Sequence, residues 1–195
     1  LVRSRGLGDV YKRQRWYVDR VLESFRNANY KNLDLAGFYW VDEDIAYNGD
    51  LSLSVSEYIH SKNLLFYWIP YWKAVGYDKW RELGFDMAYL QPNHFFEENI
   101  PDSRLEEACK ESEKNGMAIE MEFDSRALSD YEPVSFRSRM KSYIDVFKDN
   151  GVFFDLPIAY YSGSRAIYEM YKSEDERDKE IMDELCELIV ERHKK

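Results

Sequence analysis

Apolar runs alternate with helix-patterned stretches along most of the chain, and this alternation constrains the fold more than any other feature. From Arg15 onward the pattern recurs about every 30 residues, which is the length of a strand, a helix and their connections. The runs are mostly apolar at both sets of alternating positions, as is typical of parallel strands buried on both faces. Five runs predict strands at 35–41, 64–69, 86–90, 117–123 and 152–156.

Helices are expected between these runs, because apolar residues at 3.6-residue spacing and capping signals separate them. A capping box at 54–57 predicts one helix start, and a second box at 103–106 predicts another. The predicted helices are 15–25, a short helix from 54, 78–83, 103–115, 133–150, 164–171 and a last amphipathic helix that carries Ile181, Leu185, Leu188 and Ile189. Strands that each precede a helix predict βαβ units and a parallel sheet.

Two architectures fit such a pattern, an open doubly wound sheet and a (β/α)₈ barrel. The open sheet would gain a function from a phosphate-binding loop, but the sequence has no GxGxxG and no GxxxxGK[ST]. A barrel places functional residues after several strands, and polar and aromatic residues do follow the predicted strands. The predicted fold class is therefore α/β, with five parallel βα units as strands four to eight of a TIM barrel. About three further units, on the order of 100 residues, would precede them.

Residues 1–14, LVRSRGLGDVYKRQ, resemble a translated sequencing adapter of the kind found at the ends of assembled metagenomic reading frames. The segment has neither a signal-peptide core nor a hydrophobic period. We therefore expect residues 1–14 to be foreign and residues 15–195 to form the partial barrel domain.

Charge, hydropathy and the cysteines argue against a nucleic-acid partner, a membrane span and a metal site. Asp and Glu number 37 against 27 Lys and Arg, a net charge of −10, which argues against a nucleic-acid partner because phosphate binding requires a basic face. No run approaches the ~18–20 apolar residues of a membrane span. Cys109 and Cys186 are far apart and lie on predicted helix stripes, so both are expected to be core thiols. The sequence predicts no metal site and no cofactor.

Carboxylates at two strand ends form the strongest chemical signal. Glu120 and Glu122 share one face of the fourth run, and Asp42 and Glu43 end the first run. Cleavage of a glycosidic bond requires two carboxyl groups that flank the bond. A large clan of retaining glycoside hydrolases resembles this arrangement, with its acid/base after strand four and its nucleophile after strand seven. By that analogy Glu43 is the acid/base and Glu122 the nucleophile, with Asp42 and Glu120 as second choices; the alternative is that such carboxylates only cap helices or bind arginines.

Aromatic and amide side chains near the strand ends suit a carbohydrate ligand. Flat rings with a polar end pack against the apolar faces of sugars, and amides or imidazoles bond their hydroxyls. The candidate binding residues are Tyr71, Trp72, Gln91, Asn93, His94, Phe95, Tyr160 and Tyr161.

Three segments resemble one bacterial family. They are GFYWVDE at 37–43, LLFYWIPYWKAVGYDKWRELGFDMAYLQPNHFF at 64–96 and EFDSRAL at 122–128, and they are similar to the domain of unknown function 4855. The resemblance implies a glycosidase-type TIM barrel, often within secreted or surface proteins of polysaccharide-degrading bacteria. It supplies no catalytic residues, so the site assignments above depend on strand position alone.

The sequence thus predicts a fragment of a glycoside-hydrolase-like barrel that acts on a carbohydrate, with the fragment itself inactive. Two alternatives remain open. One is a carbohydrate-binding barrel without catalysis, and the other is an open α/β sheet with an unrelated binding role.

Overall fold

Five parallel strands alternate with helices in the computed structural model, which describes residues 2–163 and 165–194. Each strand pairs with the strands that precede and follow it in the sequence, and every pairing is parallel. The predicted parallel α/β class is confirmed. The strands are β1 (Gly37–Trp40), β2 (Leu65–Trp68), β3 (Met87–Leu90), β4 (Ala118–Glu122) and β5 (Ile158–Tyr161).

Helices lie before, between and after these strands. They are α1 (Val2–Ala28), α2 (Gly49–His60), α3 (Ser103–Asn115), α4 (Arg137–Asp149), α5 (Val152–Asp155), α6 (Ala166–Lys172) and α7 (Glu176–Arg192), with 3-10 turns at Tyr77–Lys79 and Ser125–Ala127. Helix α1 includes residues 2–14 of the segment that we expect to be foreign. Leu1 lies outside the described residues. The foreign origin of the segment stays a prediction. No helix in the described part of the chain has the length and apolar character to cross a membrane.

Strand β3 joins two compact units, residues 1–88 and residues 89–195. Its first half belongs to the N-terminal unit, where Met87 and Ala88 pair with β2. Its second half belongs to the C-terminal unit, where Tyr89 and Leu90 pair with β4. Residues 87–88 therefore pair with a strand of the N-terminal unit, and residues 89–90 pair with a strand of the C-terminal unit.

Aromatic rings form the core of the N-terminal unit. Phe85 stacks on Phe66 and on Trp68 of β2, with ring centroids 4.6 and 5.0 Å apart. Strand β1 approaches β2 so closely that a Cβ at Gly37 would lie 2.1 Å from the carbonyl oxygen of Leu65. A side chain at position 37 would therefore force the backbones of β1 and β2 to shift apart.

The C-terminal unit has an aliphatic and aromatic core around β4. Ile119 and Met121 have no exposed surface, and neither do Met140, Ile144 and Phe147, which form an apolar stripe along α4. Helix α3 ends at Asn115, as the sequence predicts, and the following Gly116 has a left-handed conformation with φ 58°.

A buried carboxylate connects the last helix to two loops of the same unit. Asp178 of α7 is 1 % exposed. Its Oδ1 accepts hydrogen bonds from the N–H and the hydroxyl of Ser129, 2.9 and 2.7 Å away, and its Oδ2 accepts from the Ser173 hydroxyl at 2.7 Å. These bonds satisfy a charge that would otherwise be costly to bury.

The fifth predicted strand is wrong. Residues 152–155 form the helical turn α5, and the strand that pairs with β4 follows it at Ile158–Tyr161. The turn starts after Gly151, which has a left-handed conformation, and buries Val152 and Phe153. A short apolar run satisfies a buried helical turn as well as a strand, so the pattern alone did not separate the two. Tyr160 and Tyr161 consequently end the strand itself.

Four smaller expectations also differ from the structure. Helix α2 begins at Gly49, so the predicted capping box at 54–57 lies inside it. The helix predicted at 78–83 is reduced to the 3-10 turn and further turns, and α6 begins at Ala166, after Ser164, which lies outside the described residues. Cys186 is exposed because it lies one position after the buried Leu185, about 100° around the helix.

Candidate functional site

The end of β4 carries two carboxylates with almost no exposed surface. Glu122 is 0 % and Glu120 5 % exposed. Since side chains alternate along a strand, the two share one face, and Ile119 and Met121 occupy the other. The register places Glu120 opposite Ala159 and Glu122 opposite Tyr161 of β5.

Two hydrogen bonds converge on one oxygen of Glu122. Oε2 accepts from the backbone N–H of Asn93 and from the hydroxyl of Tyr143, both at 2.7 Å. Tyr143 lies on α4, so the carboxylate contacts the helix layer as well as the strand end. A tyrosine is long enough for its phenol to reach the carboxylate from α4.

Tyr143 is the site residue that the sequence analysis missed. Its ring has no exposed surface, and burial, followed by the charge of Glu122, raises the pKa of its phenol well above the usual range. The phenol is therefore a hydrogen-bond donor at neutral pH. A signal existed, because Tyr143 falls within the apolar stripe of α4, and a buried tyrosine hydroxyl normally finds a polar partner.

The loop after β3 presents the other donor. Asn93 has a left-handed backbone, φ 53°, a conformation that asparagine tolerates better than most residues. In this loop Gln91, a predicted binding residue, has a buried Oε1 without a hydrogen-bond partner in the described part of the chain. Gln91 directly follows β3, the strand that pairs with the β4 strand carrying Glu120.

The side chain of His94, which follows Asn93 in this loop, is buried. Its Nε2 lies 2.7 Å from Oδ1 of Asp102, and its ring packs edge-on against Tyr143 with centroids 5.4 Å apart. Burial lowers the pKa of His94, and the bond to Asp102 raises it by less. The neutral ring therefore donates its Nε2–H to Asp102, while Nδ1 has no hydrogen-bond partner among the described residues. Neither His94 nor Phe95 has exposed surface, so neither reaches solvent in this conformation.

The acidic residues after β1 belong to the N-terminal unit. Asp42, Glu43 and Asp44 line an open groove of about 640 Å³ together with Tyr47 and Tyr71. Glu43 is exposed, whereas Asp42 accepts a hydrogen bond from the Asn48 amide at 2.8 Å.

Asp44 in this groove has a structural role. Its carboxylate accepts from the Tyr71 hydroxyl and the Ala46 N–H at 2.7 Å, and from the Val75 N–H at 3.0 Å. The hydrogen bond from Tyr71, and then those from the two N–H groups, lower the pKa of Asp44. Asp44 therefore holds the loop after β1 through a tyrosine and two backbone N–H groups, rather than by capping a helix or binding an arginine.

The predicted aromatic binding residues differ in exposure. Tyr71, Tyr160 and Tyr161 are 37, 40 and 49 % exposed, and Trp72 is half-buried. The Tyr161 ring lies edge-on to Phe96 in the C-terminal unit, with centroids 5.8 Å apart. The three tyrosines are therefore accessible to a ligand, unlike Phe95.

One family matches this chain over residues 3–187, and its description is Domain of unknown function (DUF4855). The chain belongs to this family. No curated protein matches the chain. The DUF4855 match includes all five strands, and therefore Glu43, Glu122 and the loop that carries Asn93.

Proposed function

We propose that this DUF4855 chain forms strands four to eight of a (β/α)₈ barrel that hydrolyses a glycosidic bond. The parallel strands follow one another in the sheet in the order of the sequence, which is the order of a barrel of this type. In such barrels the reacting residues follow the carboxyl ends of the strands.

The observation that carries the proposal is the setting of Glu122. It ends a central parallel strand, it is buried, and two donors hold one of its oxygens at 2.7 Å. Hydrogen bonds to a carboxylate are strong and directional, so the group is held in a fixed orientation, as attack on a sugar carbon requires. We assign Glu122 as the nucleophile, with Glu120 as the second choice.

Glu43 is assigned as the general acid/base. It lies three residues after the end of β1, it is exposed, and it lines an open groove together with Tyr71. In the proposed numbering β1 and β4 are strands four and seven of an eight-stranded barrel, whose carboxyl ends surround one mouth. Of its neighbours, Asp44 is occupied by three hydrogen bonds, so Asp42 is the second choice.

A carbohydrate-binding barrel without catalysis is the second candidate, and the exposed tyrosines favour it. Tyr71, Tyr160 and Tyr161 offer accessible rings without requiring any reacting pair. Both candidates assign sugar contacts to the same predicted residues with exposed surface: Tyr71, Trp72, Gln91, Asn93, Tyr160 and Tyr161. The buried His94 and Phe95 are not assigned sugar contacts.

The test uses the chain together with the upstream βα units that a closed barrel requires. Release of reducing sugar from a panel of polysaccharides is measured for the parent, for Glu122→Gln and for Glu107→Gln, an exposed glutamate of α3. We expect Glu122→Gln to lower kcat on the order of 10³-fold or more while the far-UV circular dichroism is unchanged. Retained turnover in Glu122→Gln contradicts the proposal, and sugar binding without turnover in the parent supports the binding barrel.

A further inference from the structure

Arg139 of α4 binds an unusual number of backbone carbonyls in one loop. Its Nε donates to the carbonyl oxygens of His94 and Phe95 at 3.1 and 3.2 Å. Its Nη2 donates to those of Glu97 and Ile100 at 2.9 and 3.0 Å, and also to that of His94. One guanidinium therefore bonds four carbonyls between residues 94 and 100.

This loop is the segment that presents the Asn93 N–H to Glu122. Asn93 directly precedes His94, whose carbonyl receives two of the Arg139 bonds. A left-handed residue such as Asn93 keeps its backbone only where the surroundings hold it, and Arg139 fixes the first carbonyl after it.

The same helix holds the loop at two further points. Ser142 donates its hydroxyl to Asp102 at 2.7 Å, and Asp102 in turn accepts from His94. Tyr143, the next residue, donates to Glu122. Helix α4 thus contacts the 94–100 loop through Arg139 and Asp102 through Ser142. It contacts the candidate nucleophile, Glu122, through Tyr143.

We propose that Arg139 is a positioning residue for Glu122, which fixes the 94–100 loop and thereby directs the Asn93 N–H at the carboxylate. The link to catalysis rests on the proposed function; the link to the Asn93 N–H does not. The geometry requires arginine, because a planar guanidinium has five donors in a rigid fork, whereas a lysine ammonium has three donors at one point.

Amide hydrogen exchange by NMR tests the positioning directly on the chain as it stands. The reporter is the Asn93 amide, and the reference is the Phe123 amide, which donates to the Tyr161 carbonyl at 2.8 Å in the neighbouring ladder. Arg139→Lys and Arg139→Met are compared with Arg137→Lys, which lies on the same helix but contacts Asp178. If Arg139→Met does not fold, Arg139→Lys alone supplies the comparison.

We expect Arg139→Lys to accelerate exchange at Asn93 by about tenfold or more and to leave Phe123 within about twofold, since it loses several charge-assisted hydrogen bonds to this loop only. Arg137→Lys should leave Asn93 unchanged. Unchanged exchange at Asn93 in Arg139→Lys overturns the proposal. Equal acceleration at Asn93 and Phe123 also overturns it, because Arg139 would then stabilise the unit without positioning the loop.

Turnover separates this inference from the proposed function. In the barrel with its upstream units, Arg139→Lys should lower kcat about tenfold with KM nearly unchanged, because a displaced donor alters the reacting geometry more than sugar binding. Local acceleration at Asn93 with kcat unchanged overturns the catalytic part of the inference. Local acceleration in a protein whose Glu122→Gln variant still turns over refutes the proposed function and leaves Arg139 as the residue that positions the loop.

Discussion

Replacing Tyr143 by phenylalanine removes a single oxygen from the buried surroundings of Glu122. The ring remains, so no cavity of consequence forms, and the change isolates the 2.7 Å hydrogen bond to Oε2. A hydrogen bond to a charged group contributes about 1.5–3 kcal/mol to stability. Both partners are fully buried, so water does not weaken this bond and the full range applies. We expect Tyr143→Phe to lower the free energy of unfolding by about 2 kcal/mol.

Urea unfolding followed by circular dichroism measures this loss. With a slope of about 2 kcal/mol per molar urea, the midpoint should fall by about 1 M. Tyr161→Phe is the matched control, because its ring is 49 % exposed at the end of the adjacent strand, and it should change the free energy by less than about 0.5 kcal/mol. Equal midpoints for Tyr143→Phe and the parent protein would refute the energetic role of the bond.

The same bond makes a prediction for alkaline pH. Since the pKa of Tyr143 is raised in the folded protein, the unfolded chain loses this phenolic proton first. The stabilisation is therefore complete below the ordinary tyrosine pKa of 10.0 and is lost as pH rises above it. Tyr143→Phe should show a shallower alkaline loss of stability than the parent.

Three further predictions concern other parts of the chain. Because burial lowers the pKa of His94, stability should fall as pH drops below its ordinary value of 6.5; a urea midpoint that falls equally in His94→Gln would contradict this. Burial raises the pKa of Cys109 to about 12, so iodoacetamide at mildly alkaline pH should label Cys186 and spare Cys109 in peptide mass spectrometry, and equal labelling would exclude the argument. Gly37→Ala should lower the urea midpoint by an amount equivalent to about 1–3 kcal/mol because its Cβ would collide with a β2 carbonyl, whereas Gly49→Ala, with its nearest neighbour at 3.5 Å, should have little effect.

The sequence predicted the parallel α/β class because its signal is local and repeated. Four of the five apolar runs contain strands of the sheet. The run at 152–156 failed because four buried residues suit a helical turn equally well. The box at 54–57 failed because capping residues also occur inside helices; α2 begins earlier, at Gly49, after an N-cap residue, Asn48, that makes no side-chain capping hydrogen bond.

The candidate site could be predicted only in part. Glu120 and Glu122 were found because alternation along a strand places carboxylates on one face. The Asn93 N–H and the four carbonyls bonded by Arg139 are backbone groups, which carry no residue-type signal. Tyr143 and Arg139 reach the site from a helix that follows the strand, so their contacts depend on tertiary packing that periodicity does not encode.

The sequential strand order has a consequence for how the chain assembles. Each strand pairs with its immediate predecessor in the sequence, as Gly37 with Leu65 in β1 and β2 and Ile119 with Ile158 in β4 and β5. During synthesis from the N-terminus, every new strand therefore leaves the ribosome after its partner has been made. Only one connection must close at each step, and the entropy cost of closing a loop grows slowly with its length. The sheet can thus extend one strand at a time in the direction of translation, with each finished edge as the template for the next strand.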